Sequence, residues 1–148
     1  MDTTKTLKVL QANTFNMFLK SWFFHWNVEG RDFMQLHDLF GQIYNDLFGA
    51  IDLIAEHIRA LDDYAPGSLQ RFRELGATID DKTTIPQARA MVGELLTDNR
   101  VVVKSLRDVV EAAKRENLEE IINFAGGRLE VHTKFGWMLS AILKTDRE

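Results

Sequence analysis

A chain of 148 residues, 45% hydrophobic, is long enough to bury a core without covalent staples, and its lack of cysteine excludes disulfides, thiolate chemistry and sulfur-based zinc sites. Its formal net charge of −4 and pI of about 5.6 lack the strongly basic footprint usual in nucleic-acid binders. No apolar run approaches a membrane span and the N-terminus carries no apolar signal region, so a single cytoplasmic domain over residues 1–148 is expected.

The first helical pattern runs from about Thr4 to Val28. Leu7, Leu10, Thr14, Met17, Ser21, Phe24 and Val28 recur at steps of three and four, the spacing of one helix face, with Phe18, Trp22 and His25 as a second stripe. Gly30 ends it. Asp32 is the expected N-cap of the second helix, with Gln35 as its capping-box partner. Leu36, Phe40, Ile43, Leu47, Ile54 and Leu61 form that helix's core face. Ala65-Pro66-Gly67-Ser68 breaks the pattern. A short helix is expected from Ser68 to Leu75, closed by Gly76. Thr84 is the expected cap of the third long helix, with Pro86 in its first turn. Met91, Leu95, Val102, Leu106, Val109 and Ala113 mark its face. Asn117 is the expected cap of the fourth, with Glu120 as box partner. Ile121, Phe124, Ala125, Leu129, His132, Phe135, Leu139 and Ile142 continue it. Four amphipathic helices with a middle connection of roughly 24 residues imply an all-α fold, a four-helix bundle of the ferritin-like variant with a short helix in the long crossover between helices 2 and 3.

Asp52 and Glu56 are four residues apart on the second helix, so their side chains project from one face. Adjacent carboxylates repel unless a proton or cation lies between them. No lysine is close in sequence, and Arg59 is the nearest positive charge. A solvated acidic pair and a divalent-cation site are both consistent with this. His37 lies on the same helix, about 22 Å of axis before Asp52, so one cation cannot reach both from one straight helix. Two copies packed antiparallel about a twofold near Tyr44 and Asn45 would bring His37 of one to Asp52 of the other, twice over. Close helix approach could also explain Gly41 and Gly49, which weaken the helix locally. His25 and His37 taken singly read as packed histidines; with the acidic pair they read as ligands. Two imidazoles and two carboxylates suit Fe(II), zinc or manganese alike, and the absence of thiolate argues against Cu(I).

The ordered series His25-Trp26-Asn27-Val28-x-Gly30, Phe33, Leu36-His37, Phe40, Tyr44 and Asp52-x-x-Ala55-Glu56 resembles the Dps family, the mini-ferritins. Pro66-Gly67-Ser68-Leu69 and Trp137-Met138-Leu139 extend the resemblance over essentially the whole chain. The resemblance implies a hollow dodecamer with ferroxidase sites between twofold-related subunits. At these sites Fe(II) is oxidised, preferably by hydrogen peroxide, and stored as ferric mineral. It places His25 and His37 in one subunit and Asp52 and Glu56 in the other, with Glu56 as the bridging candidate.

One position departs from the pattern. The family usually carries Asp or Glu one turn after the second histidine, and here that residue is Gly41. Counting ligands, the iron nearest His37 should be held weakly, and water or peroxide could fill the space glycine leaves. His57 and His132 read as structural. Trp26 reads as a packed aromatic, with acceptance of an oxidising equivalent as the alternative. Glu116, Glu119, Glu120 and Glu130 read as a solvated helix face, with a cation pore as the alternative. Some Dps proteins bind DNA through a lysine-rich tail, but here only Lys5 and Lys8 lie in the first ten residues and the C-terminus, Lys144-Thr145-Asp146-Arg147-Glu148, is near neutral. DNA binding is therefore expected to be weak or absent. Three function classes follow: a ferroxidase and iron-storage cage, a DNA-protecting structural cage, and a metal-binding cage whose oxidation chemistry is weakened by Gly41.

Overall fold

The seven positions read from the sequence as one face of the first helix, Leu7, Leu10, Thr14, Met17, Ser21, Phe24 and Val28, are all buried in the computed structural model. The structure describes residues 1–77 and 83–144, which include helices α1 (Thr3–Asn27), α2 (Phe33–Ala60), α3 (Leu69–Leu75), α4 (Ala88–Arg115) and α5 (Glu119–Ile142). The expected middle connection carries α3, and the bundle is the all-α, ferritin-like one. No helix among the described residues is long and apolar enough to cross a membrane. Residues 145–148 of the near-neutral tail lie outside the described residues.

Helix α1 is central: it packs against α2, α4 and α3, and α4 packs against α5. Its seam faces Phe40, Ile43, Leu47, Ile54, Met91, Leu95, Val102 and Leu106, which are at most 1% exposed and form one apolar core. Burying side chains of this size stabilises by about 1.5–3 kcal/mol each relative to exposure, before the entropy of ordering them is subtracted. Its ends are tied by polar contacts. Asp2 caps it by accepting from the Lys5 amide at 2.9 Å. The amide and hydroxyl of Thr3 both donate to Glu116 at the end of α4. Lys20 pairs with Asp98 on α4 at 3.0 Å.

Helix ends were the least legible part of the sequence. Ser68 does cap α3, accepting from the Arg71 amide. Asp32 precedes α2 but has φ −102° and ψ 25° and makes no side-chain cap bond; the extended backbone a cap requires is absent. Thr84 does not cap α4, which starts at Ala88 after Gln87. A cap at Thr84 would force Ile85 into helical geometry directly before Pro86, where the proline ring disfavours it. Asn117 does not cap α5 either. It has φ 57° and closes α4: the Leu118 amide donates to the Ala113 carbonyl at 2.9 Å and the Asn117 amide to that of Lys114. That is a left-handed C-terminal closure, for which Asn is suited. Asp62, φ 63°, closes α2 in the same way with Asp63 bonded to Ile58.

A buried polar network joins α2, α4 and α5. Asp46 and Arg128 form a two-pronged ion pair at 3.0 and 2.7 Å. An Arg128 nitrogen lies 3.2 Å from His132 Nε2, and His132 Nδ1 lies 2.8 Å from Asn99 Oδ1. The Asn99 amide nitrogen donates to the His132 carbonyl at 2.9 Å. Guanidinium only donates and an amide oxygen only accepts, so His132 is neutral with its proton on Nδ1. Burial and the neighbouring Arg128 charge hold its pKa down to about 3, against an ordinary value of 6.5. The structural reading of His132 thus acquires a definite partner set.

This network makes stability depend on pH. The unfolded chain protonates His132 near pH 6.5 while the folded chain resists to about 3. The stability due to this group is therefore intact above about pH 6.5 and declines as pH falls, by up to about 1.4 kcal/mol per unit. Denaturant titrations between pH 7 and roughly 5, above the main carboxylate range, should show this decline in the native chain. A His132→Asn variant should lose that part of the slope, and an unchanged slope would contradict the assignment.

Candidate metal centre

The five-residue link between α1 and α2 sets the histidine geometry. Gly30 at φ +108° makes the reversal, a backbone conformation that side-chain-bearing residues rarely adopt. The last turn of α1 is thereby laid against the second and third turns of α2. His25 and His37 stack with ring centroids 3.8 Å apart and planes 14° apart. His25 Nδ1 lies 2.7 Å from the His37 carbonyl, and His37 Nδ1 lies 2.7 Å from the His25 carbonyl. Carbonyl oxygens only accept, so both rings carry their proton on Nδ1 in these bonds, leaving both Nε2 lone pairs available. Holding one ring nitrogen on a carbonyl while the other faces a cation is the usual arrangement of a ligating histidine. Phe33 covers His37 at 5.1 Å, and Tyr44 lies against His25 at 5.1 Å. The aromatic series continues to Trp22, 6.0 Å from Tyr44, and Trp26, 4.4 Å from Trp22 and half exposed.

Gly41 is buried and leaves no vacancy in the chain. A Cβ at this position would lie 3.1 Å from His25 Cε1 and 3.2 Å from His25 Nδ1. The His25 ring thus packs directly against the position where the family's acidic side chain would begin. At Gly49 nothing lies within 4 Å of a built Cβ, so close approach within the chain explains Gly41 but not Gly49.

Asp52 and Glu56 are exposed on α2. Asp52 hydrogen-bonds Glu56 and repels its charge, and the two effects raise the Glu56 pKa above the ordinary 4.5. A cation held between them would relieve the same repulsion. Arg59 does not neutralise the pair; it donates to the Asp63 carbonyl and lies over the Tyr64 ring. Phe48 and Leu53 on the same helix are 67% and 50% exposed, and Asp52 lines an open groove of about 760 Å³ with Phe18, Asp46, Phe48 and Arg128. The structure thus brings His25 to His37 and Asp52 to Glu56. Among the described residues no three His, Asp or Glu side chains converge on one point within the chain. His57 lies against Phe124. Glu119, Glu120 and Glu130 are exposed, whereas Glu116 is engaged by Thr3. Sequence reasoning missed the Asp46–Arg128–His132–Asn99 network; the Arg128 and His132 pair at i, i+4 was its one visible signal.

The ferritin-like domain family matches residues 4–148. The chain therefore belongs to the ferritin-like family, and within it to the Dps proteins, the mini-ferritins. It is 29% identical to the DNA protection during starvation protein of Helicobacter pylori over 97% of this chain and 99% of that one. An uncharacterized low temperature-induced protein of Nostoc is 31% identical over 90% of this chain and 75% of its own length. The crystal structure of a Dps protein from Vibrio cholerae, described as belonging to a broad superfamily of ferritin-like diiron-carboxylate proteins, superimposes with a TM-score of 0.91 at 27% identity, covering 96% of this chain and 89% of that one.

The tautomer assignment can be checked directly. In the metal-free protein, long-range 1H–15N spectra above pH 7 should show His25 and His37 with protons on Nδ1. A predominant Nε2–H form at either residue would contradict the crossed hydrogen bonds.

Proposed function

We propose that the chain is a mini-ferritin that binds and oxidises Fe(II) at sites completed between two subunits and stores the ferric product in a hollow cage. His25 and His37 of one subunit and Asp52 and Glu56 of another are the proposed ligands, and the proposed assembly is a cytoplasmic homododecamer. The observation that carries this reading is the pair of ready half-sites that cannot meet in one chain. One holds two imidazoles with free Nε2 lone pairs. The other is an exposed carboxylate pair whose close approach raises the Glu56 pKa.

The chemistry follows from the donors. A divalent cation bound between the two carboxylates relieves their repulsion, and two negative charges favour the ferric product. Imidazoles supply neutral donors that suit Fe(II), zinc or manganese. Two Fe(II) ions give one electron each to hydrogen peroxide, whose O–O bond breaks with uptake of two protons to give two waters. Paired delivery avoids the hydroxyl radical of a one-electron step.

The test is complementation. Fe(II) is bound anaerobically, stoichiometric peroxide is added, and ferric absorbance is followed. Glu56→Ala should slow oxidation at least about tenfold, since even indirect perturbation of ligands costs that much. A chain lacking both histidines (His25→Ala, His37→Ala) and a chain lacking both carboxylates (Asp52→Ala, Glu56→Ala) should each be inactive. Co-expressed equally, they form mixed pairs in half of the interfaces, each with one intact site of two, so roughly a quarter of the native activity should return. No recovery from mixed assemblies would place the site within one chain.

A net charge of −4 per chain repels phosphate, so DNA retention in gel shifts should be weak at physiological salt and vanish as salt rises. Retention that survives high salt would favour the DNA-protecting reading that the relatives' names raise.

A further inference from the structure

We propose that Gly41 is a positioning residue for the histidine half-site, and that this half-site is built to work without a carboxylate at position 41. The inference rests on the reading of His25 and His37 as ligands, but its physical basis is a packing observation.

The His25 ring is held from several sides. Its Nδ1–H is bonded to the His37 carbonyl at 2.7 Å, one face stacks on His37 at 3.8 Å, and Tyr44 lies 5.1 Å away. On another side the ring meets the bare Cα of Gly41. A Cβ there would come within 3.1 and 3.2 Å of two ring atoms, closer than ordinary van der Waals contact. The far end of a flexible side chain could move aside, but this ring is short, hydrogen-bonded and stacked. A side chain at 41 therefore requires the ring to give by a few tenths of an ångström, which strains its bond to the His37 carbonyl and, through the stack, the bond that His37 makes in return.

A simple count of ligands leads to the opposite expectation. If glycine merely omits a donor, restoring Asp should tighten cation binding. On the packing seen here, Gly41→Asp should weaken it, because the gain of a carboxylate costs an oriented imidazole. The half-site then offers two nitrogen donors and no carboxylate from its own chain, a set that suits borderline divalent cations such as Fe(II), Co(II) and Zn(II).

The experiment uses the full-length assembled protein and Co(II), titrated anaerobically and followed by calorimetry and visible absorption. The native assembly, Gly41→Ala, Gly41→Asp and the control Gly93→Asp are compared; Gly93 lies on α4, which carries none of the proposed ligands, and nothing lies within 4 Å of a Cβ built there. Gly41→Ala and Gly41→Asp should each weaken Co(II) binding by about tenfold or more, the scale of loss when a group that orients a ligand is disturbed, and Gly93→Asp should not. In a His25→Ala background the sign should reverse: Gly41→Asp no longer displaces a ring and should tighten binding. Metal-free 1H–15N spectra provide a readout without any cation, in which Gly41→Ala should shift the hydrogen-bonded Nδ1–H of His25. Tighter Co(II) binding by Gly41→Asp in the otherwise native chain, or an unmoved His25 signal in Gly41→Ala, overturns the inference. If the native assembly binds no Co(II) but the His25 signal moves, the metal reading fails and the positioning role stands.

Discussion

Each imidazole of the His25–His37 pair bonds to the carbonyl of the other residue, and that crossed contact fixes where the end of α1 lies on the start of α2. The link between the helices reverses at Gly30 to bring the two rings together, and the His25 ring lies against the bare Cα of Gly41. The crossed contact is also self-consistent chemically. The same proton placement that satisfies two backbone carbonyls leaves two nitrogen lone pairs unspent. Structure and prospective ligation therefore make the same demand on these rings, so the geometry can be set before any cation arrives.

The opposite side of the bundle solves a different problem with similar groups. Asp46, Arg128, His132 and Asn99 are mutually satisfied, and the neutrality of His132 follows from a cation on one side and burial around it. Asp52 and Glu56, only a few residues from Asp46 on the same helix, are exposed and lie against each other, which raises the Glu56 pKa. Of these three α2 carboxylates, one is thus engaged by folding and two are left over. This contrast separates structural from functional acids better than residue type does, because an exposed acidic pair without a cation keeps a standing electrostatic conflict.

The long-range architecture was legible because apolar periodicity is a redundant signal. Six positions on α4 and seven on α1 were assigned to the core from spacing alone, and every one is buried. Caps were less legible because they rest on single residues with more than one use. Asn serves an N-terminal cap or a left-handed helix end, and at Asn117 the preceding helix took it. Thr84 failed because of a neighbour, Pro86, whose constraint falls on Ile85. Gly41 shows a third limit. Sequence identified it as a lost ligand, but the contact that gives it meaning comes from His25, sixteen residues away on another helix. Burial of His132 was visible in the periodicity, whereas its partners on α2 and α4 were not, since pairing across a bundle depends on rotation of each helix about its axis.

Dividing a site between chains has an energetic consequence under the proposed reading. A cation bound by both half-sites interacts only with the paired state, so it favours association by RT ln(1 + [L]/Kd), about 2.7 kcal/mol when the free ion is a hundredfold above Kd. The exposed Phe48 and Leu53 beside the carboxylate pair would be covered in the same event. Apolar burial would then provide association without metal, while the ion adds an increment that vanishes as the carboxylates take up protons. The histidine half, already oriented within its own chain, contributes no comparable ordering cost. The proposed centre therefore has a rigid side and a charge-compensating side. The substitution of glycine for a family carboxylate falls on the rigid side, where exact ring placement outweighs one additional ligand.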